Sequence, residues 1–548
     1  MCLTNKTTNI LSVKPEIIEK ICYKDIIDLN NLRAGLKRTK INVSPGIDGE
    51  TKINITESRL QKLYLELSLQ TYQPKPSKKF GIAQLGDGMR YLGVASQIDK
   101  IVQAALLNHL EPVLEKVFKS CSFGFRPNLN CHNALREIKY QWKAISWIIK
   151  VDIKKKFDRL NHDHILKNLS NYCDQSTVEL VRKLIKVGYV DIHNLTDRGE
   201  YNEVGVPQGS LLSPILLNLY LHDLDEYIME NLMPKYNKEE FKVKSRDDST
   251  QSFDSELNTQ LVNTYPDLKQ TLVRTKQNSF KSEKTFNYCR LYYNRYADDF
   301  ILGFIGPKAE ADIILAQITA KLTEIKLEIN TEKSKIYHSS ESGIEYLRMF
   351  IRYFVHSKTI TVLESKTSKN NTISKIVNKD VSPKIPTAHF TVPVAILLKK
   401  LVDKGLAKQR EDGTIRGTAY IKVSTWEEKQ IVQKYSSIIQ SLLNYYSCIN
   451  HKSDLWKILA ILRKSCALTL AHKLKLGSAA KIYAKFGPHL KIKGVGESTE
   501  LFYPTSLKSK VDFKIRSKSI KYPAVMELEI DAVSGPAQYN PKPLHTCK

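Results

Sequence analysis

Two adjacent carboxylates, Asp298 and Asp299, separate two short apolar runs, and this feature restricts the fold more than any other in the chain. Residues 291–293 before them and residues 300–302 after them are apolar or aromatic. The pattern predicts two short β-strands joined by a tight turn that carries both acids. Neighbouring carboxylates repel each other, so a folded protein tolerates them best beside a cation. An oxygen-rich site of this kind suits Mg²⁺, especially when a substrate triphosphate completes its coordination.

An isolated pair of acids is also common in solvated turns, so a metal site needs support from elsewhere in the chain. Asp152 supplies such support, because it follows the β-branched run of residues 147–151. A carboxylate at the end of a buried strand is costly unless it is paired or bound to a metal. The three acids together indicate a metal site for phosphoryl or nucleotidyl transfer.

The charge of the chain indicates what it binds. Lysine and arginine number 84 against 57 acidic residues among 548, which gives a net charge of +27. An excess of this size favours a polyanionic partner, nucleic acid first and an anionic membrane second. No apolar run reaches the length of a membrane span, so we expect no membrane-spanning helix. The 9 cysteines include no Cys-x-x-Cys pair, which indicates free thiols in a reducing compartment.

The first two-thirds of the chain mixes helices with strands. Residues 1–40 form a helical, basic extension, and residues 80–94 predict a β-hairpin that carries Arg90. We predict helices at 57–68, 97–118 and 308–326 from their apolar periodicity. Residues 233–285 are polar and predict an exposed insertion. Residues 365–385 are rich in Ser, Thr, Lys and Asn, which favours a linker.

Beyond residue 386 the periodicity is helical. One helix ends at Gly405. Ser424-Thr425-Trp426-Glu427 matches a capping box and predicts the start of a second helix. A third helix, at about 454–475, carries basic residues along its polar side. The tail at 493–548 is rich in lysine and has little periodic core.

The order of these pieces points to a family. The chain resembles the reverse transcriptases of group II introns, also called maturases, over about residues 35–490. Four motifs in the first part of the chain carry the resemblance: Gly46-Ile47-Asp48-Gly49, the run from Ser122 to Pro127, Gly205-Val206-Pro207-Gln208-Gly209-Ser210 and Arg295-Tyr296-Ala297-Asp298-Asp299-Phe300. The helical part adds two more, Leu443-Asn444-Tyr445-Tyr446 and the run from Ser465 to Lys473.

The resemblance implies an α+β fold: the fingers and palm of a right-hand polymerase, followed by an all-α thumb that is the maturase domain X. The expected boundaries are 1–40 for the basic extension, 41–364 for fingers and palm, 365–385 for the linker, 386–492 for the thumb and 493–548 for a tail that is a DNA-binding remnant. No endonuclease activity is expected, because His545 and Cys547 near the end cannot build a four-ligand zinc site.

The resemblance also implies roles for single residues. Asp152, Asp298 and Asp299 would be catalytic, and two Mg²⁺ ions would be held by Asp152, Ile153 and Asp298. Deoxynucleoside triphosphates would be the substrates. The nucleotide-binding residues would be Arg90 on the triphosphate, Phe157 against the sugar, Gln208 under the templating pair and Lys333 near the phosphates. Phe157 would exclude a 2′-hydroxyl and so favour deoxynucleotides.

The implied partners are group II intron RNA, an RNA template and a DNA primer, with no membrane; a homodimer is left open. The basic residues expected to contact RNA are Arg33, Lys37 and Arg38 in the extension and Arg463, Lys464 and Lys473 in the thumb. Heavy use of Lys, Ile and Asn, without a presequence, favours an organelle-encoded mitochondrial protein; the alternatives are a bacterial cytoplasm or a chloroplast.

Two functions compete on the sequence. The first is an RNA-directed DNA polymerase that also assists the splicing of its intron and takes part in intron mobility. The second is a splicing-only maturase with a relict polymerase site. The metal-site acids favour the first. Two departures from the family pattern favour the second: Gln84 stands where the family usually has lysine, and Arg348 stands where its primer-grip turn usually has glycine.

Overall fold

The structure is a computed structural model that describes residues 20–41, 44–84, 88–154, 156–191, 204–237, 289–341, 343–355, 359–368, 371–380, 386–493, 498–507 and 512–513. The chain divides into two units, and each is described by itself. The first unit comprises residues 1–119, 155–223 and 325–327, and the second comprises residues 120–154, 224–324 and 328–548.

The first unit packs helices beside a small sheet. Its helices are α1 (Tyr23–Ile27), α2 (Leu29–Arg38), α3 (Glu57–Ser68), α4 (Gln97–Val117), α6 (His162–Ser170) and α7 (Gln175–Lys186), and helix α8 (Ser213–Glu226) begins in it. Its strands are β1 (Ser77–Gln84), β2 (Gly88–Val94) and β4 (Tyr189–Val190), in the order β2-β1-β4. The apolar residues of α4, from Ile101 to Leu114, are buried, so this helix forms the centre of the unit's core. The predicted helices at 57–68 and 97–118 are confirmed to within a residue.

The second unit contains a four-stranded antiparallel sheet in the order β5-β6-β3-β7. Its strands are β3 (Trp147–Val151), β5 (Arg290–Tyr296), β6 (Asp299–Ile305) and β7 (Lys335–His338). Helix α5 (Cys131–Gln141) precedes β3, α9 (Met233–Tyr236) precedes β5, and α10 (Lys308–Glu324) follows β6. Strand β6 is buried along nearly its whole length because it lies between two neighbours. The hairpin predicted around the acid pair is therefore confirmed.

A three-stranded sheet and the helical part complete the second unit. Strands β8 (Ile344–Tyr346), β9 (Met349–Val355) and β12 (Pro386–Thr391) pair in the order β12-β9-β8, and β10 (Thr359–Ser368) pairs with β11 (Asn371–Asp380). The helices that follow are α11 (Val394–Asp403), α12 (Glu428–Tyr445), α13 (Leu455–Lys473) and α14 (Ala479–Phe486). Two short hairpins accompany them: β13 (Ala407–Gln409) with β14 (Ile415–Gly417), and β15 (Ile492–Lys493) with β16 (Ser498–Thr499).

Two local predictions are wrong. Residues 365–385 were expected to form a linker, but residues 359–368 and 371–380 form an antiparallel hairpin. The polar stretch also contains several β-branched residues, which favour strands. The predicted capping box was also shifted: Glu427 caps α12 together with Gln430, whereas the Ser424 hydroxyl donates to the Ile421 carbonyl.

The α+β fold class is confirmed, because helices accompany sheets whose strands are mostly antiparallel. Most of the predicted insertion at 233–285 lies outside the described residues, as do residues 1–19 and 514–548. None of the helices that the structure describes combines the length and the hydrophobicity needed to cross a bilayer.

Candidate active site

The three candidate catalytic acids lie at one end of neighbouring strands in the second unit. Asp152 directly follows β3, Asp298 lies in the turn between β5 and β6, and Asp299 begins β6. In the register of β3 with β6, Val151 is opposite Phe300, so the next position along β3 brings Asp152 opposite Asp299. All three acids are half-buried. The sheet thus places at one end of its strands acids that are separated by almost 150 residues in the chain.

A second turn fixes the backbone of Asp152. The amide of Asp152 donates to the Ser334 hydroxyl at 3.0 Å, and its carbonyl accepts from the Asn330 amide at 2.7 Å. Ile153, an expected metal ligand, is buried and forms a β-bridge with Ile329. Lys333 is exposed in the same turn as Ser334. Sequence reasoning gave no role to Asn330 and Ser334, although Ser334 directly follows and Asn330 lies three residues before the Lys333 that it singled out.

A buried ion pair lies beside the Asp298 turn. Nε and Nη2 of Arg295 donate to the two Asp225 oxygens at 2.8 and 2.5 Å, and both side chains are 0% exposed. Nη1 of Arg295 donates to the carbonyl of Ala297 at 2.7 Å, and the Tyr293 hydroxyl donates to Asp225 at 2.8 Å. Burial alone would lower the pKa of Arg295, but the Asp225 charge raises it. The guanidinium therefore stays charged and holds the turn from inside.

The turn requires this support because Ala297 has a φ of +57°, in the left-handed region that non-glycine residues rarely adopt. Residues 121–124 approach it from another side. The Arg295 amide donates to the Cys121 carbonyl at 2.8 Å, and the Phe123 amide donates to the Arg295 carbonyl at 2.9 Å. A Cβ on Gly124 would lie 2.2 Å from the Ala297 nitrogen, so glycine is the residue that permits this approach.

The first unit brings Phe157 and Gln208 together. The Val206 amide donates to the Phe157 carbonyl at 2.8 Å, and Nε2 of Gln208 donates to Asp158 at 3.1 Å. The Gln208 amide donates to the Tyr189 hydroxyl at 2.5 Å. Burial raises the pKa of Tyr189 to about 12, so this hydroxyl remains protonated. Tyr189 is a supporting residue that sequence reasoning missed, because a lone tyrosine after a helix carries no motif.

The loop that carries Gln208 is fixed by two glycines. Gly205 and Gly209 have φ values of +92° and +111°. A Cβ on Gly209 would lie 2.4 Å from the Gly93 carbonyl oxygen, and the Gly93 amide donates to the Gln208 carbonyl at 2.6 Å. The loop therefore packs against strand β2, which also contains Arg90.

Arg90 lies on β2 opposite Ile82, as the predicted hairpin requires. The side chains of Arg90 and Gln84 lie outside the described residues, and so does the turn at 85–87.

The basic residues of the extension differ in their contacts. Arg33 and Arg38 form ion pairs with Glu57 and Glu111, respectively, and the second pair is 2.5 Å apart and largely buried. Lys37 is exposed. The local positive charge of this helix is therefore smaller than its sequence indicates.

The basic residues of the thumb differ in the same way. Arg463 donates to the Pro488 carbonyl at 2.8 Å, and its guanidinium carbon lies 4.8 Å from the centre of the Tyr503 ring. Nζ of Lys473 lies 3.7 Å from a glutamate oxygen. Lys464 is exposed. Arg463 thus contacts residues further along the chain, a role that the sequence did not indicate.

The donor set at the sheet edge fits Mg²⁺, because carboxylate oxygens are the ligands that this ion prefers. Among the described residues, no group of three or more His, Cys, Asp or Glu side chains is arranged so that it could hold a metal ion by itself. Mg²⁺ sites of this class normally need water and substrate phosphates to complete the coordination, so an incomplete protein cage fits them.

The fold and the group of acids define the class of reverse transcriptase domains. The family model described as Reverse transcriptase (RNA-dependent DNA polymerase) matches residues 74–363, and the model described as Type II intron maturase matches residues 386–527. The chain belongs to the family of group II intron-encoded reverse transcriptases and maturases.

Several curated proteins are similar to the chain. A putative COX1/OXI3 intron 1 protein of Saccharomyces cerevisiae is 30% identical over 89% of this chain and 56% of its own length. The group II intron-encoded protein LtrA of Lactococcus lactis is 28% identical over 80% of this chain and 72% of its own length. An uncharacterized mitochondrial protein, ymf11, of Marchantia polymorpha is 24% identical over 76% of this chain and 59% of its own length. The chain therefore spans little more than half of some of these relatives.

Proposed function

We propose that this protein is an RNA-directed DNA polymerase that also binds group II intron RNA and assists its splicing. The observation that carries the proposal is the gathering of Asp152, Asp298 and Asp299 at one end of adjacent strands. The turn that holds Asp298 is braced by a buried ion pair, as a site that must keep its geometry during catalysis requires.

In this proposal Asp152 and Asp298 hold two Mg²⁺ ions, with the backbone of Ile153 next to them. Bound Mg²⁺ would activate the primer 3′-hydroxyl and stabilise the leaving pyrophosphate. Asp299 adds negative charge beside the ions. Ser334 and Asn330 hold Asp152 in place through its backbone.

The remaining residues bind the nucleotide. Phe157 excludes a 2′-hydroxyl at the sugar, and Gln208 supports the templating pair. Arg90 and Lys333 contact the phosphates of the incoming deoxynucleoside triphosphate, where a guanidinium gives bidentate hydrogen bonds. The hydrogen bonds that fix Gln208 and Phe157 to one loop support this assignment.

Primer extension on an RNA template tests the polymerase function. Loss of a metal ligand removes several kcal/mol of transition-state stabilisation, so Asp298→Ala should lower extension by at least about a thousandfold. Binding of the intron RNA should stay near the wild-type level. Splicing assistance that is lost in parallel with DNA synthesis, in a variant that stays folded, would contradict separate functions. A wild-type chain that assists splicing but extends no primer would establish the splicing-only maturase instead.

Binding of intron RNA should depend steeply on salt. The exposed Lys37 and Lys464 are the residues best placed to release counterions, so Lys37→Gln and Lys464→Gln should each reduce the slope of log K against log salt by about one. Arg38→Gln is the matched control and should change the slope less, because Glu111 already neutralises Arg38. Unchanged slopes in both lysine variants would show that these side chains are merely solvated.

The proposed location is a mitochondrion, with the gene in the organelle. The relatives named for a COX1 intron and as a mitochondrial protein support it. The similarity to LtrA of a bacterium keeps a bacterial cytoplasm as the alternative. Expression of a tagged chain in its native cells, followed by fractionation, separates the two.

A further inference from the structure

The turn between β8 and β9 has an unusual backbone. Leu347 and Arg348 are its two central residues, and their φ values are +47° and +56°. Two-residue hairpin turns with positive φ at both positions normally contain glycine, asparagine or aspartate. Neither Leu347 nor Arg348 is of that kind, so the turn is strained and must be held by its surroundings.

Two tyrosines at the end of helix α12 hold it. The hydroxyl of Tyr445 donates to the carbonyl of Leu347 at 2.6 Å, and the hydroxyl of Tyr446 donates to the carbonyl of Arg348 at 3.2 Å. The side chain of Tyr446 is fully buried and that of Tyr445 nearly so. Each central carbonyl of the turn therefore receives one hydroxyl, and both hydroxyls come from the maturase part of the chain.

The same turn is connected to the catalytic hairpin. The hydroxyl of Tyr346, the residue before the turn, donates to Oδ1 of Asn294 at 2.8 Å. Asn294 lies on β5, four residues before Asp298, and its side-chain nitrogen donates to the Ala134 carbonyl at 3.2 Å. A shift of the turn would thus be passed to the strand that carries a metal-binding acid.

We propose that Tyr445 and Tyr446 are positioning residues, which hold the Leu347–Arg348 turn and, through Tyr346 and Asn294, the hairpin that leads to Asp298, and so couple the maturase domain to DNA synthesis. This inference rests on the proposed polymerase function. The two hydroxyls compensate the strain that a non-glycine residue such as Arg348 imposes on the turn. The arginine that departs from the family pattern is then accommodated by the maturase part of the chain.

The test is a cycle of substitutions in the full-length chain. Tyr445→Phe with Tyr446→Phe removes both hydroxyls and keeps the rings. A misplacement of Asp298 impairs the chemical step more than binding. We therefore expect kcat for nucleotide addition to fall about tenfold, while the Kd for primer–template changes by less than about twofold. Equal loss in both quantities would indicate a merely structural role and overturn the proposal.

Two further substitutions separate strain from charge. Arg348→Gly and Arg348→Ala both remove the guanidinium, but only glycine adopts the left-handed conformation without strain. Each substitution is then combined with Tyr445→Phe and Tyr446→Phe. In this double-phenylalanine background, Arg348→Gly should bring kcat and the midpoint of thermal unfolding close to the values of the Arg348→Gly single variant. Arg348→Ala should give no such recovery. Equal rescue by alanine, or wild-type kcat in the double-phenylalanine variant, would overturn the proposal.

The experiment also distinguishes this inference from the proposed function. If the wild-type chain extends no primer, the polymerase proposal fails, and with it the effect on DNA synthesis. The midpoints of thermal unfolding of the same variants then still decide whether the tyrosines hold a strained turn. If the wild-type chain extends primers and the cycle shows no rescue by glycine, only the positioning role fails.

Discussion

Two hairpin turns of the second unit solve the same backbone problem with different chemistry. The turn at Ala297 and the turn at Leu347 and Arg348 both place non-glycine residues at positive φ. The first is held by Arg295, which is charged, fully buried and paired with Asp225. The second is held by neutral tyrosine hydroxyls.

The difference shows what each turn requires. A buried ion pair is costly to assemble, but once formed it cannot lose one partner without exposing the other charge to an apolar interior. A neutral hydrogen bond contributes only about 1 kcal/mol and can be exchanged. The rigid support belongs to the turn that is proposed to present a metal ligand. The exchangeable support belongs to the turn through which the maturase part of the chain is proposed to act on it.

Removing the acid of the buried pair should break the first support and give the largest effect. Asp225→Ala leaves the Arg295 guanidinium buried and uncompensated, so unfolding free energy should fall by about 3–5 kcal/mol in urea titrations. Replacing both partners with apolar residues should cost less than this single change.

The matched control for this variant is Asp223→Ala, two positions earlier. Asp223 pairs with His164 at 3.0 Å, but its side chain is 30% exposed. Loss of this pair should cost no more than about 1 kcal/mol. A loss at Asp225 as small as the loss at Asp223 would show that the buried pair does not support the fold, and the contrast between the two turns would disappear.

The two turns also differ in what their sequence discloses. Asp298 and Asp299 could be assigned to a hairpin because the flanking apolar runs are adjacent in the chain. Asp225 could not be assigned to Arg295, since the pair is separated by 70 residues. The contact of Tyr445 with Leu347 spans 98 residues, and no local pattern marks it. Motifs identify the residues of such a site, whereas tertiary packing decides which residues hold them.

The same distinction explains why the prediction of a linker at 365–385 was wrong. Composition over residues 365–385 is polar, and this alone favoured an unstructured connection. A strand also needs a partner strand, and the partner of β11 begins before this range, at Thr359. The expected helices needed no distant partner for their definition, which is why the predictions at 57–68 and 97–118 were confirmed.

Displacing the catalytic turn from outside should have an intermediate effect. In Gly124→Ala the new Cβ would lie 2.2 Å from the Ala297 nitrogen, so the turn must shift. Overpacking of this kind costs about 1–3 kcal/mol of stability. A shift near 1 Å at the reacting atoms should also lower primer extension about a hundredfold.

Gly413→Ala is the control for this substitution. It also adds one methyl group, at a glycine with a φ of +75° and open space around it, and it lies in the turn between β13 and β14. It should lose about 1 kcal/mol of stability with near-normal extension. Equal loss of extension in both variants would mean that general destabilisation, rather than the position of the Ala297 turn, governs catalysis.

A titration of Glu137 should give a graded effect on stability that depends on pH, and it concerns Asn294, which links the two turns. Glu137 interacts with the side chain of Asn294, which also accepts from Tyr346. Burial raises the pKa of Glu137 to about 7, and the hydrogen bond with Asn294 acts in the opposite direction. Between the ordinary value of 4.5 and about 7, the folded chain therefore keeps a proton that the unfolded chain has released.

Stability should consequently fall as the pH rises through this window, by at most about 1.4 kcal/mol per pH unit, and level off above it. In Glu137→Gln this contribution is absent, so the difference in unfolding free energy between variant and wild type should grow in favour of the variant from pH 5 to pH 7.5. Glu341→Gln, at an exposed position, serves as the control and should follow the wild type. If the difference in unfolding free energy between wild type and Glu137→Gln stays constant across this range, Glu137 ionises alike in the folded and unfolded chain. Its surroundings at Asn294 are then accessible to water. A growing difference would show that the Glu137 carboxyl, beside the Asn294 link between the Ala297 turn and the Leu347–Arg348 turn, is neutral at the pH where the protein is most stable.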